Sequence, residues 1–181
     1  IILSRYVGLD SIVVYEIGTR IANQLRAFFH ISFKALLPEI SKKEGSLSSN
    51  NFSQIVSLNI RYLKFIFLVG MPLYFVIFWY ATPVLKIWLG DDFVVTMSTV
   101  LQILLLSSFI TLIGTPSYFT MLALGKVKTG LLSMLIQSSF NVIGVIFILT
   151  LNIPITIEMI AWIVALSMVV GQIFLLYQNF Y

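Results

Sequence analysis

The fold is decided by residues 93–125, FVVTMSTVLQILLLSSFITLIGTPSYFTMLALG, a run without a single charged side chain. About 20 mostly apolar residues are enough for one helix to cross a bilayer. Three further uncharged runs, at residues 65–85, 129–157 and 159–181, are also long enough for one helix each. None of the four holds two helices and a turn, so each predicts a single membrane span.

The composition of the whole chain agrees with membrane spans. Of its 181 residues, 59% are hydrophobic and 10% are charged, and the mean hydropathy is +1.02. A soluble domain has about 25% charged residues, and a short one leaves much of its surface in water. These values exclude a soluble enzyme, a disordered tail and a disulfide-rich secreted domain. The start, without Met or a signal-peptide pattern, leads us to expect a fragment.

Residues 11–37, SIVVYEIGTRIANQLRAFFHISFKALL, form a fifth candidate helix with an unusual pattern. Ser11 is a suitable N-cap, and Pro38 marks the end. At 100° per residue the polar side chains fall on one stripe. Its members are Glu16, Arg20, Asn23, His30 and Lys34, with Arg26 at the edge. The pattern fits either a helix lying on the membrane surface or a helix that crosses the membrane with its polar face inside the protein.

The distribution of lysine and arginine favours crossing. Six basic residues lie in segments 39–64 and 125–129, whereas segments 1–10, 81–96 and 151–158 hold only Arg5 and Lys86. Basic residues concentrate in cytoplasmic loops, and the two sets separate only if residues 11–37 cross. The sequence therefore predicts one all-α integral membrane domain, 1–181, with a cytoplasmic C-terminus. Its five spans are placed at 11–37, 60–82, 97–124, 129–151 and 156–178.

A polar stripe inside the membrane implies a cavity. A charge facing lipid at mid-membrane costs about 2.5–3.5 kcal/mol on insertion scales, so Arg20 and Arg26 are expected to face water or an anion. Asn141, also mid-span, should face another helix or a cavity. With no cysteine and one histidine, the sequence predicts no metal site, and no catalytic constellation or nucleotide motif is present.

Residues 2–41 resemble the beginning of the second half of polysaccharide-lipid flippases. The matching features are a loop ending in glycine, an aromatic–acidic–x–x–x–Arg helix (Tyr15, Glu16, Arg20) and a closing LPEIS at 37–41. Residues 87–90 (IWLG) and 125–130 (GKVKTG) are similar to the same family. The family is the multidrug, oligosaccharidyl-lipid and polysaccharide exporter superfamily, which includes O-antigen flippases.

The resemblance implies a MATE-like transporter with two lobes around a central cavity. This chain would be the second lobe: the end of one helix and five transmembrane helices. The implied function is flipping of an undecaprenyl-diphosphate-linked oligosaccharide across the bacterial inner membrane by alternating access, for O-antigen-like lipopolysaccharide biosynthesis. The implied partners are that lipid-linked oligosaccharide, membrane lipids and the missing N-terminal lobe. Nucleic acid, cofactors and enzymatic catalysis are not implied.

The candidate substrate-binding residues are Arg20, Arg26 and Lys34, which would bind the diphosphate, together with Asn23 and His30. Glu16 is the candidate for ion coupling. Simpler roles remain open, since Glu16 and Arg20 are spaced to form an internal ion pair and Lys34 is placed to snorkel to the headgroups.

Alternatives remain open for the function too. Within the superfamily they are a multidrug exporter and a lipid II exporter. Outside it they are a membrane-embedded glycosyltransferase or ligase and a non-transporting scaffold with a packed, dry stripe. A drug exporter for cations should carry acidic cavity groups, whereas this stripe is mostly cationic.

Overall fold

The computed structural model describes residues 9–34, 57, 59–123, 126–151 and 155–180. This part of the chain is almost entirely helical and contains no strand. Its helices, in chain order, are α1 (Leu9–Lys34), α2 (Asn59–Trp79), α3 (Ala81–Leu89), α4 (Val95–Ala123), α5 (Val127–Thr150) and α6 (Ile157–Phe180).

Four of these helices are long and apolar enough to cross a membrane: α2, α4, α5 and α6. The prediction of an all-α, multi-pass membrane protein is confirmed at this level. Helix α1 is 26 residues long, or about 39 Å at 1.5 Å per residue, but its charged side chains keep it out of that group. Its crossing stays a prediction, and residues 35–37 of the span expected there lie outside the described residues.

The end of the second predicted span differs from the structure. Instead of continuing to residue 82, α2 ends at Trp79, and Tyr80 leaves the helical conformation with φ −95° and ψ 17°. Pro83 explains the break, because a proline clashes with the carbonyl four residues earlier, here that of Trp79. The expected loop then holds α3 and a 3₁₀ turn at Gly90–Asp92, which starts at Gly90 with a positive φ of 59°.

Helix α2 contains a wide π-helical turn at Ile66–Gly70. The Met71 amide donates to the carbonyl of Ile66, five residues back, just before Pro72, which has no amide hydrogen to donate. The buried positions of α2 recur every four residues, at Tyr62, Ile66, Gly70 and Tyr74. In a regular α-helix such positions drift by 40° per step, and the wide turn reduces that drift. These residues therefore lie along one line, and Tyr62, Gly70 and Tyr74 on it meet Phe29 of α1.

Helix α4 is the centre of the fold. It packs along α1 on one side and α6 on the other, while α5 lies outside α6 and leaves most of its surface exposed. The core joins α4 residues to two phenylalanines of α1. Its fully buried members include Phe29, Phe33, Leu101, Leu105 and Leu112. This arrangement leaves one part of the polar stripe of α1, Arg26 and His30, beside a cleft that α1 forms with α4, α5 and α6.

Candidate functional site

The polar stripe of α1 divides into two parts in the structure. Arg20 and Glu16 pair with each other, with 3.3 Å between Nη2 and Oε2, and their side chains are 79% and 58% exposed. Lys34 is exposed in the last turn of the helix. None of these three lines the central cleft. Arg26 and His30, by contrast, are half-buried and do line it.

The cleft is a cavity of about 310 Å³ between α1, α4, α5 and α6. Of the polar residues in its lining, the sequence predicts only Arg26 and His30 as site residues. The other polar side chains are Thr111, Thr115, Tyr118, Ser133, Gln137 and Gln172. Gln137 and Gln172 could have been recognised from the sequence, because a glutamine within an apolar run is unfavourable in lipid and so indicates a position facing another helix or a cavity. None of the described residues that line this cavity is acidic.

Arg26 is the cation of the cleft. Its Nη2 donates a 2.7 Å hydrogen bond to Oδ1 of Asn23, one turn earlier. Asn23 and Arg26 also border a small adjoining cavity toward Thr19 and Ser107. No carboxylate in the described ranges forms an ion pair with Arg26. The asparagine thus orients the guanidinium without neutralising it, and the other guanidinium donors remain available for an anion.

His30 is held on the wall of the cleft by α4. Its Nε2 lies 3.2 Å from Oγ1 of Thr115, and that hydroxyl donates to the carbonyl of Thr111 at 3.3 Å. Both bonds form together when Nε2 carries the proton and donates to the threonine. The ring also meets Phe119 edge to face, at 5.7 Å between centroids. This arrangement fixes the imidazole and leaves its Nδ1 as the remaining polar atom.

Gln172 and Gly114 form a close contact beside the cavity. A Cβ atom on Gly114 would overlap the Gln172 carboxamide oxygen. That oxygen is buried and has no hydrogen-bond partner within the described ranges. The structure shows a packing reason for the glycine: it gives the carboxamide room to lie against α4.

Asn141 lies one turn beyond Gln137 on α5 and faces α6. Its Nδ2 donates a long 3.4 Å bond to Oγ of Ser167. It also lines a second cavity, of about 240 Å³, together with Gln137, Ser138 and Ser167. Among the described residues, no group of three or more histidine, aspartate or glutamate side chains is placed to hold a metal ion.

No protein-family model, curated protein or solved structure matches the chain. The resemblance to exporters therefore stays a prediction. The structure itself shows a cationic, polar cavity, with no acid among the described residues of its lining, between helices of which three are apolar enough to cross a membrane.

Proposed function

We propose that this chain is one lobe of an inner-membrane flippase for an undecaprenyl-diphosphate-linked oligosaccharide. It would work by alternating access around a cationic cavity, in the biosynthesis of an O-antigen-like surface polysaccharide. The observation that supports this most directly is Arg26, a guanidinium beside a polar cavity whose described lining contains no carboxylate.

Charge favours an anionic ligand over a cationic one. A guanidinium inside the membrane is unfavourable unless water or a counter-charge compensates it. Glu16, the nearest acid on the same helix, already pairs with Arg20. A diphosphate would supply the counter-charge and accept two parallel hydrogen bonds from the planar fork of Arg26. A multidrug exporter for cations, or a glycosyltransferase that needs carboxylates, would place acids in a cavity where this lining has none.

The exposed part of the stripe suggests a second lobe. The side chains of Glu16, Arg20 and Lys34 are exposed and are not covered by the other described helices. If α1 crosses the membrane without a second lobe beside it, these side chains would face lipid. The proposal places them on the water-filled space between this chain and an N-terminal lobe, where Arg20 and Lys34 attract the incoming diphosphate. Glu16 pairs with Arg20. We therefore assign Glu16 the role of positioning that arginine, in preference to ion coupling.

The test is made in the source bacterium with the complete gene. Deleting the gene should abolish the surface polysaccharide and cause lipid-linked repeat units to accumulate. Re-introduced Arg26→Ala should fail to restore the polysaccharide, since each hydrogen bond to a charged group contributes about 1.5–3 kcal/mol. Arg26→Lys should restore it partly, because lysine keeps the charge but not the fork.

Arg61→Ala is the matched control. Arg61 is an exposed arginine near the start of α2 and lines neither cavity. All variants are compared at equal protein level in the membrane. An unchanged polysaccharide after deletion would refute the flippase proposal. Full activity of Arg26→Ala would refute the assignment of the anion site. A lipid II exporter shares the diphosphate chemistry, and its deletion would instead stop peptidoglycan synthesis.

A further inference from the structure

The second cavity extends the central cleft along α5. The two cavities share a wall, because Gln137 lines both of them. The described lining of the second cavity consists of two amides, two hydroxyls and Val142, and none of these is charged. A polar path without charge therefore leads away from Arg26 between α5 and α6.

The amides on this path have unused hydrogen-bonding capacity. No hydrogen bond ties the Gln137 carboxamide to any residue that the structure describes. Asn141 makes the long bond to Ser167 through Nδ2, and its carbonyl oxygen accepts none within the same part of the chain. The Ser167 hydroxyl already donates to the Val164 carbonyl at 2.8 Å. Both carboxamides can thus accept and donate toward a ligand.

Packing between helices explains only part of this face. Ser133 does join α5 to α6, since its hydroxyl donates to the Gly171 carbonyl at 2.7 Å. At Gln137 both the Cβ atom and the carboxamide oxygen lie near Gly171, a contact that leaves the hydrogen-bonding capacity of the carboxamide unused. The adjacent Ser138 is exposed. If Gln137 and Asn141 only held α5 and α6 together, their polar atoms would be used in contacts between the helices. Instead both carboxamides have free polar atoms beside an open cavity.

The chemistry of the second cavity fits a sugar. A carboxamide offers one kind of donor and one acceptor, which matches the hydroxyls of a neutral pyranose. The rise from Gln137 to Asn141 is about 6 Å, one helical turn, which is the scale of a single ring. The volume, about 240 Å³, is below the range of roughly 300–1,000 Å³ for drug-sized ligands.

We propose that Gln137 and Asn141 form a subsite for the first sugar of the substrate, beside the diphosphate bound at Arg26. This inference rests on the proposed function and adds the residues that read the carbohydrate. The sugar would donate to the free Asn141 oxygen and exchange hydrogen bonds with the Gln137 carboxamide.

The test measures binding to the full-length protein in nanodiscs. The probes are undecaprenyl diphosphate and the same lipid carrying one glucose, galactose, N-acetylglucosamine or N-acetylgalactosamine. For the wild type, at least one sugar-bearing lipid should bind roughly 3- to 10-fold more tightly than the sugar-free lipid, as expected for one or two net hydrogen bonds. Asn141→Leu should remove that gain and leave sugar-free binding unchanged, because Asn141 lines the second cavity and not the Arg26 cleft. Gln137 lines both cavities, so the gain in Gln137→Leu is measured against that variant's own sugar-free binding, and it too should be lost.

Gln178→Leu is the matched control, because Gln178 is an exposed glutamine at the end of α6 outside both cavities. It should keep the full gain. If the wild type binds undecaprenyl diphosphate but no sugar adds affinity, or if both leucine variants keep the gain, the subsite is refuted and the proposed function stands. If the wild type binds none of the lipids, the proposed function itself fails.

Discussion

At the scale of single residues, Gly114 determines where the Gln172 side chain lies. The carboxamide rests against the α4 backbone in the space that a Cβ atom would occupy. The clashing atom is the end of a flexible side chain, so an alanine at 114 would move Gln172 and leave the helix in place. Gln172 already lines the cleft beside Arg26, and its displaced carboxamide would then project further into that space.

We therefore predict that Gly114→Ala weakens undecaprenyl diphosphate binding roughly 3- to 10-fold, an effect comparable to one or two hydrogen bonds. Adding Gln172→Ala to it should restore affinity, because the shorter side chain no longer blocks the cavity. The measurement is a double-mutant cycle of dissociation constants. Gly144→Ala is the control, since its Cβ would lie 2.8 Å from Cγ2 of Ile163, away from the cleft. Strictly additive effects of the two substitutions would contradict the prediction.

Arg20 and Arg26 show how far the sequence specifies the site. Six residues of helix separate them by about 120° around the axis, so both fit one broad polar stripe. The structure separates their environments because α1 packs through Gly18, Ala22 and Phe29, which places Arg26 next to the packed face. The sequence could not identify that face, because Phe28 is as apolar as Phe29 and yet 58% exposed.

At the scale of elements, the helices expected from uncharged runs are present, while their interruptions were harder to foresee. Charge-free length is a local property, so it can be read without knowing the tertiary structure. The break at Tyr80 depends on the clash of the Pro83 ring with the carbonyl of Trp79. The wide turn in α2 depends on the packing of its buried residues against Phe29 of α1, which is a tertiary contact. Proline alone does not distinguish these outcomes, since α4 continues through Pro116.

Helix α1 is the element whose path matters most for function. The chain has no cysteine, so single cysteines can report which side of the membrane a segment faces. We predict that Arg5→Cys reacts from outside the cell with an impermeant maleimide, and that Lys43→Cys reacts only from the cytoplasmic side. Asp91→Cys and Lys126→Cys, at the two ends of α4, are the reference positions for outside and inside. Labelling of positions 5 and 43 from the same side would mean that α1 lies on the membrane surface.

At the scale of the whole molecule, exposure has two meanings. Arg20 near the middle of α1 is 79% exposed, and Leu68 near the middle of α2 is 77% exposed. In the proposed two-lobe arrangement the first faces water between lobes and the second faces lipid. Because the two side chains are equally exposed but are expected to have different surroundings, cysteines at positions 20 and 68 can be compared directly for contact with water.

We predict that Arg20→Cys in the full-length protein reacts with a water-soluble maleimide, because thiolate forms only in water. Leu68→Cys should stay unmodified in intact membranes and react after solubilisation and unfolding. The readout is gel-shift labelling over time at equal expression. Equal resistance of both cysteines would argue against a water-filled space beside α1 and would favour a dry, packed stripe.

The wide turn in α2 also determines where this protein can lose a residue. Its buried positions are spaced four, four and four residues apart. Deleting one residue between Ile66 and Gly70 would change the spacing to four, three and four, or about 3.7 residues per turn, close to that of a regular α-helix. With Pro72 replaced by alanine, the shortened helix would still present its buried side chains to Phe29. A deletion elsewhere in α2 would rotate one half of the helix by about 100° relative to the other. Single-residue deletions in this helix should therefore be tolerated only at residues 67–69.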